Sequence, residues 1–161
     1  MGLILLVASG TLAGYMESRR LTFRVEGLES FLRFLSAAQT EIRFAALPVE
    51  QIVQRHGKDL EFLKICGEKC RGGDSFFCAW ETGVKNGTKG QGFKPQDIDL
   101  FYGFGKSFGV SDTDGQISHC TLYTELIQDN LKSAREEKIR KARLYQVLGI
   151  FSGMAAALLM C

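Results

Sequence analysis

Residues 28–45 read LESFLRFLSAAQTEIRFA, and the spacing of their apolar side chains indicates the fold class. Its apolar side chains recur every three or four residues, the spacing that places them along one face of an α-helix. The positions on that face are Leu28, Phe31, Leu32, Leu35, Ala38, Ile42 and Ala45. Leu47-Pro48 closes the segment, because a residue that precedes proline disfavours the helical conformation. The pattern predicts one long amphipathic helix that begins near Glu17 unless Thr22–Gly27 interrupts it.

Shorter periodic segments predict further helices over 49–56, around 60–67, over 75–85 and over 95–108. Pro48 and Pro95 suit helix starts, since the first turn of a helix does not need the missing amide hydrogen. In the helix over 75–85 the side chains expected in the core are Phe76, Phe77, Ala79, Trp80 and Val84. The run NGTKGQG at 86–92 predicts a flexible turn.

The last predicted helix begins at the capping-box-like sequence Ser111-Asp-Thr-Asp114 and meets no proline before Met160. At 1.5 Å per residue it would be about 70 Å long. Its apolar face is formed by Ile117, Cys120, Tyr123, Ile127, Leu131 and Ala134. The residues after Ala134 are mostly charged and predict a solvated helical stalk. Because no segment alternates with the period of a strand, the predicted fold class is all-α, an antiparallel helical bundle.

Both ends of the chain are long apolar runs. Residues 2–16 read GLILLVASGTLAGYM and residues 144–161 read LYQVLGIFSGMAAALLMC. We expect an N-terminal transmembrane helix over 2–18 and a C-terminal one over 144–161, because about 18–20 apolar residues span a bilayer. The first run lacks the basic start of a signal peptide, although cleavage stays open. The alternative for the second run is a buried C-terminal core helix.

Basic residues flank the two apolar runs on their inner sides, and they are Arg19, Arg20, Lys138, Arg140, Lys141 and Arg143. The positive-inside rule then places the bundle over 19–143 in the cytoplasm. Gly10 and Gly14 form one GxxxG pair, and Gly149 and Gly153 form another. Such pairs let membrane helices pack closely, on each other or on partners, although glycine is also simply common in membrane helices.

Residues 103–107 read GFGKS, which resembles part of a phosphate-binding loop. The full motif needs a glycine five positions before the Gly that precedes lysine, and that position is Leu100. The segment also follows a helical pattern instead of a strand. We therefore expect no nucleotide or other cofactor at this site.

Cys66, Cys70, Cys78 and His56 could be drawn as a zinc site, but their spacing is irregular. A buried free thiol is the simpler explanation for Cys78, which neighbours Phe77 and Trp80. His56 and His119 have no nearby nucleophile with an orienting acid. We expect no metal and no catalysis, and the net charge of +2 with no dense basic stripe does not favour nucleic acid.

The order of these features resembles the stage III sporulation protein AB family over essentially the whole chain. The resemblance is carried by Arg19-Arg20-Leu21, Glu41-Ile42, Pro48, Trp80, the run Phe104–Asp112 with Gln116, Ala134, Lys141, Leu144-Tyr145, Leu148-Gly149, and Gly14 and Gly153. The cysteines of the middle region and the glycine-rich turn at 86–92 depart from the family pattern.

The resemblance implies membership of a multi-subunit assembly made in the mother cell during sporulation. It places the protein in the membrane around the forespore, with the bundle in the mother-cell cytoplasm. By analogy with platform proteins of secretion machines, it implies a non-catalytic subunit that docks the assembly's separate ATPase. The implied partners are the other subunits of the stage III sporulation complex and the lipid bilayer, and association with further copies of the chain stays open.

Two other interpretations of the sequence remain open at this point. One is an unrelated membrane-tethered helical adaptor, which would not associate with a secretion ATPase. The other is a small membrane enzyme that would use Lys106 or the cysteines.

Overall fold

The computed structural model describes the backbone of residues 2–160 and the side chains of residues 18–144. Six α-helices follow one another: α1 Gly2–Phe44, α2 Val49–His56, α3 Glu61–Arg71, α4 Phe76–Gly87, α5 Pro95–Ser107 and α6 Thr113–Met160. A short 3₁₀ turn, Gly57–Asp59, joins α2 to α3. Residues 2–160 contain no strand, so the prediction of an all-α chain is confirmed.

The prediction of a flanking transmembrane helix at each end is wrong. Within the part of the chain that the structure describes, no helix combines the length and the apolarity needed to cross a bilayer. The described stretches of α1 and α6 also carry many charged residues, and each charge at the centre of a bilayer is costly. The side chains of the predicted segments, before residue 18 and after residue 144, lie outside those described.

Helices α1 and α6 pack side by side and antiparallel. The Gln39 side-chain amide donates to the Thr121 hydroxyl at 2.9 Å and to the Ile117 carbonyl at 3.4 Å. About 22 Å further along α1, by the usual rise of about 1.5 Å per residue, Arg24 lies beside Glu137. We call the end formed by the α1–α2 and α5–α6 connections the closed end, and the level of Arg24 and Glu137 the basal end.

The core is dominated by aromatic rings from four helices. The Phe31 ring of α1 lies 4.8 Å from that of Phe101 and 5.8 Å from that of Phe62, measured between centroids. Trp80 of α4 lies 5.6 Å from Phe104, and its indole Nε1 donates to the Phe101 carbonyl at 2.8 Å. These contacts join α1, α3, α4 and α5 in one continuous core.

Most of the predicted core is observed, with three differences. Phe34, which the sequence pattern omitted, is buried against Phe31 and Phe104. Ala45 is exposed because α1 ends at Phe44 and Ala46 takes a positive φ of 48°. Phe77 is also exposed, at 45%, because Phe76 and Trp80 occupy the buried face of α4.

Helix α6 begins at Thr113, one residue later than predicted. The Asp112 carboxylate, and not Ser111, accepts the backbone N–H of Gly115 at 3.0 Å and caps the helix. Gln116 reaches back from the first turn, accepting from the Gly109 N–H and donating to the Ser111 carbonyl. Gly109 has φ +88°, a conformation that favours glycine, so the α5–α6 turn is fixed by both residues.

Candidate functional site

The GFGKS segment forms the last turns of α5 and does not form a phosphate-binding loop. Gly105 packs directly on Trp80, so that a Cβ there would lie 2.2 Å from the indole ring. Gly103 is covered by the Tyr123 hydroxyl in the same way. Both glycines therefore serve helix packing, and their amides lie inside an α-helix where they cannot wrap an anion.

The cysteines and histidines do not converge. Cys66 is buried, Cys70 is half-buried, and Cys78 is exposed, which corrects the prediction that it is a buried thiol. His56 Nε2 lies 2.7 Å from a Glu41 carboxylate oxygen, and His119 Nε2 lies 3.0 Å from the Phe104 carbonyl. Among the residues with described side chains, no group of three or more His, Cys, Asp or Glu could hold a metal ion.

The described part of the chain does hold a group of charged and polar side chains built around a buried ion pair, at the basal end. We call it the basal cluster, and its members are Arg24, Lys94, Asp97, Asn130 and Glu137. The Arg24 guanidinium donates to both carboxylate oxygens of Asp97, at 2.7 and 3.0 Å. Arg24 is 1% exposed and Asp97 is fully buried. Such a fork-to-fork pair is among the most directional polar contacts in proteins.

Three elements meet in the basal cluster. Asp97, in the first turn of α5, also accepts the Lys94 backbone N–H at 2.8 Å and the Asn130 amide of α6 at 2.8 Å. On α6, Glu137 receives Arg24 Nη1 at 3.5 Å and Lys94 Nζ at 2.7 Å. Helices α1, α5 and α6 are therefore joined by polar contacts at one level. No buried side-chain nitrogen or oxygen among the described residues lacks a hydrogen-bond partner.

The charges around Glu137 favour its ionised form. The hydrogen bond from Lys94 lowers the pKa of the Glu137 carboxyl below its usual value, and Lys141, at 3.4 Å, lowers it further. Partial burial acts in the opposite direction and is outweighed. Glu137 therefore remains a carboxylate well into the acidic range.

The connection between α4 and α5 lies across α1 beside the basal cluster. We call residues 88–94 the strap. The Phe93 ring lies so close to Gly27 that a Cβ on that glycine would overlap it, and Gly92 sits against the Arg20 carbonyl oxygen. Gly90 and Gly92 both have positive φ, at 74° and 76°. The run predicted to be a flexible turn is therefore a packed connection with two left-handed residues.

The six residues predicted to set the membrane topology all lie near the basal end. Arg19, Arg20, Arg140 and Arg143 are exposed, and Lys138 and Lys141 are half-buried. The Arg19 guanidinium lies 5.5 Å from the centroid of the Phe23 ring. Their role in topology stays a prediction. Gly10, Gly14, Gly149 and Gly153 lie outside the residues whose side chains are described.

At the closed end two large apolar side chains point into solvent. Phe44, the last residue of α1, is 80% exposed, and Val110, just before α6, is 78% exposed. Because α1 and α6 are antiparallel, the end of one helix and the start of the other lie at the same end of the bundle. Close by along α1, Glu41 accepts from Arg55 and pairs with His56 of α2. Both contacts lower the pKa of the Glu41 carboxyl.

These features define an all-α bundle protein. Among its described residues, the basal cluster holds the helices of the bundle itself together. The model of the stage III sporulation protein AB family matches residues 1–161. The chain therefore belongs to the stage III sporulation protein AB family, as the resemblance indicated, and the family name implies a role in sporulation. The interpretation as an unrelated adaptor is wrong.

Two relatives support this assignment. A stage III sporulation protein AB of Bacillus subtilis (strain 168) is 21% identical over 166 residues, which cover 99% of this chain and 97% of that protein. A solved structure of stage III sporulation protein AB (SpoIIIAB) matches with a TM-score of 0.64 and 19% identity. That match covers 73% of this chain and 98% of the other, and it shows that the fold is shared. Neither relative is named as an enzyme.

Reasoning from the sequence missed the basal cluster, although one signal pointed to it. Arg24 falls between Leu21, Val25 and Leu28 on the buried face of α1. A charge on an apolar stripe requires a buried partner, because an unpaired charge in a core is very costly. The pattern could not name that partner, since Asp97 lies 73 residues further along the chain.

Proposed function

We propose that this chain is a non-catalytic subunit of the secretion-like channel complex between mother cell and forespore, and that it docks the separate ATPase of that complex. Its place of action would be the mother-cell side of the outer forespore membrane, with the bundle facing the cytoplasm. The observation that carries the proposal is the family match over residues 1–161. A role as a platform is the function that the family resemblance implies.

Two features of the bundle support docking over catalysis. The two glycines of the GFGKS segment pack against Tyr123 and Trp80, so the segment does not form a phosphate-binding loop, which suits a subunit whose partner supplies the ATPase. The exposed Phe44 and Val110 give the closed end an apolar surface, and large exposed apolar side chains are typical anchors of protein interfaces. The basal end, in contrast, is occupied by ion pairs within the chain.

Affinity capture from sporulating cells tests the proposal. The tagged chain, expressed from its own locus, should recover the ATPase of the complex together with other stage III subunits. The double variant Phe44→Ser/Val110→Ser should lose at least tenfold of the recovered ATPase. Leu122→Ser, which changes a 51% exposed leucine on the outer side of α6, is the matched control and should recover it normally.

The outcomes separate the parts of the proposal. If the wild-type chain recovers stage III subunits but never the ATPase, the docking role is wrong and membership of the complex stands. Recovery of neither would contradict both. ATP binding by the purified chain, measured by calorimetry, would contradict the non-catalytic role.

A further inference from the structure

Burying the charges of the basal cluster costs desolvation free energy. Arg24 and Asp97 are removed from water almost completely, and the desolvation of such a pair often cancels the attraction between its charges. Apolar side chains of similar size in place of both Arg24 and Asp97 would pack at the same level without that cost. Extra stability alone therefore does not account for the pair.

At the basal end α6 contributes few buried apolar side chains to fix how α1 lies along it, although Leu21 and Val25 of α1 are buried there. The last buried apolar side chain described on α6 is that of Ala134, which offers only a methyl group. The next apolar residue, Ile139, is 56% exposed. Small, non-directional contacts of this kind permit a helix to shift by a turn, as packed helices do in other proteins.

The polar contacts do fix that position. Arg24 must meet Asp97 through two parallel hydrogen bonds while its third nitrogen faces Glu137. Asp97 is itself held by the Lys94 N–H and by Asn130 of α6. A shift of α1 by one turn, about 5.4 Å, would leave the guanidinium buried without a partner. Buried polar groups fix helix register in this way in coiled coils.

We propose that the basal cluster is a register lock: it sets the axial position of α1 relative to α6 at the basal end of the bundle. The cluster is a conformational device of the fold and does not depend on the docking role proposed above. The exposed ion pair between Arg135 of α6 and Glu29 of α1, at 2.7 Å, joins the same two helices. It is open to water and does not contribute to the lock, since exposed pairs hold their geometry weakly.

Distances between spin labels in the full chain test the proposal. Nitroxides are attached to p-acetylphenylalanine, so that the native cysteines stay unchanged. One labelled pair, at Ser18 and Ala142, reports on the basal end, and a second pair, at Arg43 and Ser118, reports on the closed end. All four positions are exposed. Pulsed electron–electron double resonance gives the distance distribution for each pair.

The main variant is Arg24→Met/Asp97→Asn. It removes both charges, and the asparagine can still accept the Lys94 N–H while its amide donates to a reoriented Asn130. We expect the basal distribution to broaden by about one helical turn, about 5 Å, while the closed-end distribution is unchanged. Arg135→Gln should leave both distributions as in the wild type.

A second variant covers the case in which the double variant does not fold. Glu137→Gln leaves the buried Arg24–Asp97 pair intact and weakens the contacts of Glu137 with Arg24 and Lys94, together with its pair with Lys141 inside α6. We expect a broader basal distribution here too, smaller than in the double variant. A wild-type basal distribution in a folded Arg24→Met/Asp97→Asn chain, or in Glu137→Gln, overturns the proposal. Equal broadening at both ends would also overturn it, because that result indicates general loosening.

Discussion

At the scale of single residues, Gly105 shows how closely the core is packed. It lies in the interior of α5, where alanine would ordinarily favour the helix by about 1 kcal/mol. The methyl group would, however, lie 2.2 Å from the Trp80 ring, which is itself buried and hydrogen-bonded. We expect Gly105→Ala to lower the free energy of unfolding by about 1–3 kcal/mol, measured by urea denaturation.

Gly67→Ala is the matched control for that substitution. Gly67 is also buried inside a helix, α3, but the nearest atom to its added Cβ would be the Gln54 side chain at 3.4 Å. Alanine should therefore leave stability unchanged or raise it by up to about 1 kcal/mol. Loss of stability of the same size in both variants would show that neither result reports on the Trp80 contact.

Glu137 provides a residue-scale prediction about pH. Its folded pKa is lowered, first by Lys94 and then by Lys141, so its ionised form stabilises the fold above the unfolded pKa of about 4.5. That contribution is lost as the pH falls through the lower, folded pKa. We expect Glu137→Gln to melt about 2–4 °C below the wild type at pH 7. The two Tm values should approach each other as the pH falls below about 4.5, as followed by circular dichroism; a difference that stays constant as the pH is lowered would contradict this.

At the scale of elements, the strap of residues 88–94 carries more structure than its composition indicates. Gly92 has φ +76° and its Cβ position is filled by the Arg20 carbonyl, whereas Gly90 has φ +74° with nothing near it. Gly90→Ala should therefore cost only the left-handed conformation, about 1–2 kcal/mol. Gly92→Ala should cost at least about 1 kcal/mol more, measured in the same urea series. Equal losses of unfolding free energy in the two variants would mean that the strap does not pack closely on α1.

The helices themselves followed closely from local patterns. Pro48, Pro95 and Gly109 mark helix ends by backbone chemistry that acts within a few residues, and α2, α5 and the turn before α6 lie where they indicated. The buried face of each helix was predicted less accurately, as Phe34 and Phe77 show. Apolar periodicity predicts the approximate buried face of a helix, whereas the exact face depends on which helices pack against it.

The basal cluster and the strap could not be derived from such patterns. Arg24 and Glu137 are 113 residues apart, and the apolar stripe around Arg24 indicates only that this charge needs a partner. Their pairing depends on the alignment of α1 with α6, which is a property of the packed bundle. The prediction of membrane-spanning ends is wrong because no helix among the described residues combines the length and the apolarity needed to cross a bilayer.

At the scale of the whole molecule, the two helix pairs should unfold together. Helix α1 packs mainly on α6, and α3 packs mainly on α4, so the bundle could be imagined to open in halves. The aromatic core argues against this, because Phe31 of α1 contacts Phe62 of α3 while Phe104 contacts both Trp80 of α4 and Tyr123 of α6. Separating the pairs would expose these rings, and large apolar surfaces are costly to expose.

The reactivity of the buried thiols tests directly whether the two helix pairs unfold together. Cys66 of α3 and Cys120 of α6 are both fully buried, and burial raises the pKa of the Cys120 thiol to about 12 and that of Cys66 well above its usual value. Neither thiol should react with a disulfide reagent until the bundle opens, whereas the exposed Cys78 should react at once. In single-cysteine variants, we expect Cys66 and Cys120 to give the same opening free energy, within about 0.5 kcal/mol of the value from urea denaturation. A markedly lower value for one of them would mean that its helix pair opens alone, and that the shared aromatic core does not bind the two pairs into a single unit.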